Sequence, residues 1–500
     1  MKTLHELTKL VSRNKALVDT LIPTHKDSQL IKLYELTFSE KKYSDKEAMA
    51  IIYGRQNKAA FSRLKTRMRD LLIKALIFQG TGTSSQEPWV EEGVTSFRNT
   101  LVSRILLERR SYQLATEILE RSIIMAMRYH VTEAILNQSR MLSMYYGSIN
   151  YNKYKYLKYY EIQKKYMDVY HWEVRAENNF IELQRIQLQS LANMSKATKE
   201  KAKLFVTELQ SVNHIRSYNF NYNKYRVEAA YYEFNKDYTA LLQLCEKASI
   251  EFSQPDLRRS YAISSIRLRR IWALIQAAHY AEAVKLGMEG MNKEGSGTIN
   301  WFYVSHYTIK AMLYHGDYSL ANKTILQVLY NPKFENLSDG LKEIFNTTYG
   351  YINLLHEAGI VTADNTSSEN LPDFKLGKFL NTVPVFSKDK QGINVSILML
   401  HIAYLLLRKD FDTIIDRIDS LKQYAYRYLR KDDSFRSNCM IKMVIQMARA
   451  DFNPIRTERY TIELRRQLSE VNLAGSGENI EVEFIPFEVL WDTMVNALAK

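Results

Sequence analysis

Side chains that exchange protons, bind metals, attack carbonyls or hold phosphate set what chemistry a chain can do. In this one they are dispersed. The ten histidines are scattered, and none has a second His or Cys at metal-ligand spacing. Cys245 and Cys439 stand far apart and fit no ligand or redox motif. There is no glycine-rich phosphate loop, no Gly-x-Ser-x-Gly elbow and no His-Glu-x-x-His pair. Carboxylates are accompanied by Lys or Arg along the same helices, as on solvated faces. The expectation is therefore a protein without catalytic residues, cofactor or bound metal. The chemistry that remains is electrostatic. Lys58, Arg63, Lys65, Arg67, Arg69 and Lys74 fall in one helical stretch, where Arg63, Arg67 and Lys74 share the side opposite the apolar stripe and the other three flank it. Such a face can neutralise phosphates, and it can equally be the solvated exterior of a packed helix or a contact for an acidic protein. A second cluster, Tyr151–Tyr170, interleaves seven tyrosines with Lys153, Lys155, Lys158, Lys164 and Lys165. It suits hairpin packing with hydroxyls at the edge, or stacking on single-stranded bases.

The elements that position these residues follow from composition. The chain has 500 residues, 46% hydrophobic, with only 8 Pro and 17 Gly, which favours helices over a β-sandwich or a glycine-looped α/β enzyme. The net charge is +14, and residues 1–80 carry 16 Lys and Arg against 8 Asp and Glu. Abundant Lys, Tyr, Asn and Ile fit an AT-rich coding bias, which explains their number but not their clustering. The start has no apolar core of a signal peptide. The longest apolar run, Ser396–Leu407, is too short to span a bilayer and contains His401. These features, with two isolated cysteines, lead to the expectation of a soluble, cytoplasmic protein with no membrane partner.

Residues 1–79 read as a basic helical module. Helices are expected at Leu4–Leu21, Gln29–Phe38 and Asp45–Tyr53, the last with Ser44 as N-cap, Glu47 completing a capping box and Gly54 as terminator. A longer helix over Lys58–Phe78 buries Phe61, Leu64, Met68, Leu72 and Ala75. The last two helices are arranged as in a helix-turn-helix. Residues 80–95, with Gly80 to Ser85 and Pro88, read as a linker.

From there the chain repeats. Between Tyr225 and Leu329 three apolar hairpins turn over at Asn235-Lys236-Asp237-Tyr238, Ala278-His279-Tyr280 and His315-Gly316-Asp317-Tyr318, with a small or apolar residue three places after each Tyr. Tyr112 to Tyr154 is 42 residues, Tyr238 to Tyr280 is 42, Tyr280 to Tyr318 is 38, and Tyr154 to Tyr238 is two periods, 84. The period places a missing corner near Lys196, where Ser195–Glu200 breaks the helical pattern. The Tyr-x-x-Ala corner, complete at Tyr112/Ala115, Tyr280/Ala283 and Tyr318/Ala321 and degenerate at Tyr154/Leu157, Tyr238/Leu241 and Phe411/Ile414, resembles the second-helix start of tetratricopeptide repeats. The family's Trp-Leu-Gly first-helix signature is absent and the spacing is longer. The resemblance implies an all-α, right-handed solenoid of helical hairpins, here with the basic N-terminal module at one end and a C-terminal capping segment at the other. Repeats are expected over 96–360 and 378–472, interrupted by an insertion at 361–377. A tail follows at 473–500, in which Ile480–Phe484 alternates like a short strand and a terminal helix carries Leu490, Trp491, Met494 and Leu498 on one side, as a cap or as a docking segment for a partner.

The resemblance further implies a groove, lined by first helices, that holds a peptide. Asn223 and Arg226 in one repeat and Tyr303, His306 and Lys310 in another map to it; they could instead bridge neighbouring helices. The reading is a non-enzymatic helical-repeat interaction protein that binds a protein or peptide partner and links it to nucleic acid through the basic module. A DNA-binding regulator with a repeat sensor domain and a structural subunit of a larger assembly are the alternatives, and a homo-oligomer is compatible with each.

Overall fold

The computed structural model describes residues 1–11, 29–39, 41–55, 57–79, 87–189, 194–361, 393–428, 435–471 and 482–499. Among them the protein is all-α, with twenty-one α-helices and no strand. The chain divides into two compact units, Met1–Val174 and Arg175–Lys500.

In the first unit, α1 (Lys2–Val11), α2 (Gln29–Phe38), α3 (Asp45–Tyr53) and α4 (Lys58–Gln79) share one core. The expected stripe is the buried one: Phe61, Leu64, Met68, Leu72 and Ala75 all face inward. Burying a Leu, Phe or Met side chain is worth about 1.5–3 kcal/mol, so the stripe sets the rotation of α4 and the cations point outward as a consequence. Ser44 caps α3: its Oγ accepts from the Glu47 amide at 3.3 Å while the Glu47 carboxylate accepts from the Ser44 amide at 2.7 Å. Gly54 ends the helix at φ 66°, and Asn57 caps α4 by accepting from Ala60 N. The first helix is described as far as Val11; the rest of the expected Leu4–Leu21 helix lies outside the described residues.

The same unit continues with α5 (Pro88–Glu108), α6 (Tyr112–Arg128), α7 (Thr132–Met144), a π-helical turn (Tyr145–Ile149) and the start of α8 (Lys153–Gln189). Residues 88–95, expected as linker, are the first two turns of α5. Pro88 sits in the opening turn, where a missing N–H leaves no bond unmade. The expected corner at Tyr154/Leu157 is also corrected. Tyr154 is 80% exposed and Leu157 46%, while Tyr159, Tyr166 and Val169 form the buried seam. Gly147 lets the Tyr156 ring approach, since a Cβ there would stand 2.8 Å from it. In place of two helices between Tyr154 and Lys196 there is the single 37-residue α8.

The second unit holds α9 (Lys196–Gln210), α10 (Tyr218–Asn235), α11 (Tyr238–Glu251), α12 (Ser260–Gln276), α13 (Tyr280–Lys293), α14 (Ile299–His315), α15 (Tyr318–Leu329), α16 (Asp339–Glu357), α17 (Ile393–Leu407), α18 (Phe411–Tyr428), α19 (Phe435–Arg449), α20 (Pro454–Glu470) and α21 (Phe487–Ala499). Helix α9 begins at Lys196, where the period placed a start, with Ser195 accepting from Thr198 N. From α9 to α16, consecutive helices pack on one another, as do α17 to α20. The insertion at 361–377 lies outside the described residues apart from Val361. Of the expected strand, Val482–Phe484 forms turns and bends, because the contacts its backbone makes are with side chains rather than with another strand.

One turn recurs. Arg110, His130, Lys236, Ala278, Gly316 and Lys409 all adopt φ between 56° and 91°. In each case the next residue's amide donates to the carbonyl five residues back, at 2.8–3.0 Å, in a Schellman closure that satisfies the helix end. The small or apolar corner residues Ala115, Leu241, Ala283, Ala321 and Ile414 are buried. The corner tyrosines do not merely fill their own hairpin. Tyr112 meets Tyr145, Tyr238 meets Trp272 and Tyr280 meets Tyr314, at 5.4–5.8 Å between centroids, each partner standing 33 or 34 residues ahead. Such rings tie one hairpin to the next through aromatic contact.

Candidate functional site

The basic face of α4 separates into committed and uncommitted cations. Lys65 Nζ is 2.6 Å from Asp45 Oδ2 on α3 and lies over the Phe61 ring, so its charge is spent within the module. The hydrogen bond from Lys65, joined by the amino group of Met1, holds the Asp45 carboxyl below the usual carboxylate range. Arg69 stands 3.8 Å from Asp70. Arg63, Arg67 and Lys74 are exposed, and no ion pair holds them among the described residues; Lys58 is exposed at the helix start. With Ser62, Thr66 and Asp70 the three line a shallow open depression of about 490 Å³. Two guanidinium groups, an ammonium and two hydroxyls can grip phosphate oxygens there, with Asp70 moderating the positive field.

The tyrosine cluster resolves into two parts. Glu120 Oε1 accepts from Lys155 Nζ at 2.9 Å, Tyr146 OH at 3.0 Å and Tyr159 OH at 3.1 Å. Burial works to raise the Glu120 carboxyl, and the three donors outweigh it, so the net shift is downward. Burial and the Glu120 charge push the Tyr159 phenol up, opposite to what a tyrosine acting as acid or base near neutral pH requires. This network holds α6 to the start of α8. Tyr151 and Tyr154, 72% and 80% exposed, are the outward part, beside exposed Met144, Ile149 and Leu157.

The five expected groove residues do not line an open channel. Asn223 accepts from Arg226, whose guanidinium lies 3.3 Å from the Phe180 ring centroid; both are inter-helix packing. His306 is buried edge-on to Phe345, and Lys310 is 2% exposed with its ammonium 4.9 Å from the Phe484 ring; Tyr303 alone of the five is exposed. The expected docking tail is likewise covered. Leu490, Trp491 and Met494 are at most 1% exposed and Leu498 packs beside them in the core, because α21 lies against α17, α19 and α20.

Sequence reasoning missed what covers them. Arg436, on the buried side of α19, is 4% exposed and bonds both carboxylate oxygens of Glu483 at 2.8 and 2.9 Å, Glu488 at 2.7 Å, and the carbonyls of Leu468 and Val471. An arginine on an apolar helix face was the available signal. A smaller cavity, about 290 Å³, opens beside α10 and α11 and is lined in part by Phe220, Lys224, Glu228 and Lys247. Burial raises the Glu228 carboxyl, against a hydrogen bond from Gln210. Among the described residues there is no group of three potential metal ligands, and no helix is long and apolar enough to cross a membrane.

No family model matches this chain, and no curated protein or solved structure shows significant similarity to it.

Proposed function

We propose that this protein is a non-enzymatic helical-repeat interaction protein, its hairpins stacked as a right-handed solenoid, that engages the phosphate backbone of nucleic acid through α4. The recurrent Schellman turn and the tyrosine reaching 33 or 34 residues ahead support the stacked-repeat reading, since each ties a hairpin to its successor. The nucleic-acid reading is carried by one observation. Arg63, Arg67 and Lys74 project from one face while Lys65, on the flank of the same helix, is consumed by Asp45. The exposed patch around Tyr151 and Tyr154 offers a second surface in the same unit, of the aromatic kind that protein partners use.

The test is fluorescence anisotropy of the full-length protein with random duplex DNA across a salt series, beside the variant Arg63→Glu, Arg67→Glu, Lys74→Glu. Three neutralised phosphates give a logarithmic salt slope of about −2.7, so affinity falls roughly 40-fold between 50 and 200 mM salt. The variant loses the binding. Binding that the variant leaves unchanged, or no binding at low salt, removes nucleic acid from the reading.

A further inference from the structure

The first helices of successive hairpins in the second unit converge on one short segment of the chain itself. Tyr314 of α14 donates to the Glu483 carbonyl at 2.9 Å, and Ser396 of α17 donates to the Val482 carbonyl. Lys310 of α14 and Tyr351 of α16 hold the Phe484 ring, the tyrosine stacked at 5.6 Å and 9° between planes. Arg436 of α19 takes the Glu483 side chain in a two-pronged grip, and the same carboxylate accepts from Phe487 N to start α21. Two consecutive backbone carbonyls, one carboxylate and one aromatic ring are thus each read by a different set of side chains from four helices. Glu483 is 0% exposed.

Ordinary core packing does not need this arrangement. Well-packed apolar side chains fill such a space at least as stably as a buried Arg–Glu pair, whose desolvation consumes much of its attraction. A buried guanidinium instead dictates what sits opposite it: only a planar carboxylate satisfies its fork. The segment joins the rest of the chain through a Gly-Ser-Gly stretch, Gly475–Gly477, the composition of a tether.

We propose that α14, α16, α17 and α19 form a peptide-recognition site for a carboxylate side chain followed directly by an aromatic one, and that Val482–Phe487 occupies it in cis as a tethered ligand. The proposal rests on the interaction-protein reading and names a ligand class for it. It uses no residue of the nucleic-acid face, so either can fail alone. A partner bearing the same pair of side chains competes with the chain's own segment.

The test uses the full chain with a protease recognition sequence inserted between Gly475 and Ser476. The folded protein is cleaved and then offered a fluorescein-labelled synthetic peptide spanning Glu481–Lys500. Cleaved protein takes up the labelled peptide by exchange and uncleaved protein does not. Unlabelled peptide carrying Glu483→Gln or Phe484→Ala competes roughly 30-fold or more weakly than the native sequence, as loss of one partner of a buried charged contact requires. Altering the peptide leaves the protein's own folding untouched. Failure of the cleaved protein to take up labelled peptide, or competition by the altered peptides equal to the native one, overturns the proposal and makes the segment an ordinary part of the core.

Discussion

Glu228 shows how a single side chain couples burial to pH. It is 9% exposed, and burial raises its carboxyl above the ordinary 4.5. The folded state therefore holds that proton more tightly than the unfolded chain. Its stabilising contribution is complete below the ordinary value and is lost as pH rises through the raised one. Replacing Glu228 with Gln keeps an acceptor for Gln210 and removes the penalty of burying a charge. The variant is expected to melt higher than the parent at about pH 7, with the difference closing at about pH 4; thermal denaturation at both pH values checks this, and a pH-independent difference contradicts it. Cys245 sits beneath the Tyr225 hydroxyl at 3.6 Å, with its thiol pushed up by burial, and Cys439 is buried as well. Both thiols are expected to resist an aromatic disulfide reagent in the native protein and to react on denaturation, because the thiolate is the nucleophile. At this scale the sequence was legible where one helix decides the outcome, as in the Ser44–Glu47 capping box and the stripe of α4. It was not legible for His306, Lys310 or Lys65, whose surroundings come from residues 20 to 180 places away.

Helix ends show a different limit. A chain reader looks for glycine where a helix must turn left-handed, and of the six recurrent turns only the one at Gly316 has it. Arg110, His130, Lys236, Ala278 and Lys409 adopt the same backbone with a Cβ, which costs about 1–2 kcal/mol. The turn is imposed by the helices it joins, so tertiary packing overrides local preference, and the corner tyrosine was the more reliable marker. Ala278→Gly is expected to stabilise the second unit by about 1 kcal/mol and Gly316→Ala to destabilise it by about as much, since nothing lies within 4 Å of a Cβ at Gly316 and only the backbone term remains. Urea denaturation of both variants checks the paired signs. Gly287 differs in kind. A Cβ there would stand 2.2 Å from Thr308 Oγ1, where α13 and α14 approach closely. Gly287→Ala is accordingly expected to cost about 1–3 kcal/mol through overpacking. The period also failed at one element: α8 runs through the place of a turn, because its apolar positions Tyr159, Tyr166, Val169, Ala176, Phe180 and Leu183 continue without a glycine, proline or cap to stop it.

At the scale of the molecule, an all-α chain of hairpins was readable from low proline and glycine and a recurring corner, since both arise from local sequence. The fate of the C-terminal segment was not, because Glu483 and Arg436 are 47 residues apart and meet only once the helices between them have packed. That pair gives a prediction about how stability is distributed. Arg436→Ala leaves Glu483 buried without its cation and strands the Leu468 and Val471 carbonyls, at a cost of about 3–5 kcal/mol. The loss falls on the second unit, where the contacts lie. The module built from Leu4, Leu33, Met68 and Leu72 has a core of its own. Hydrogen exchange followed by mass spectrometry is expected to show lost protection across Phe487–Ala499 and the facing amides of α19, with protection in α4 unchanged. Equal loss in α4 would mean that the two units unfold as one, and unchanged protection in Phe487–Ala499 would mean that apolar burial of Trp491 and Leu490 holds α21 without the buried ion pair.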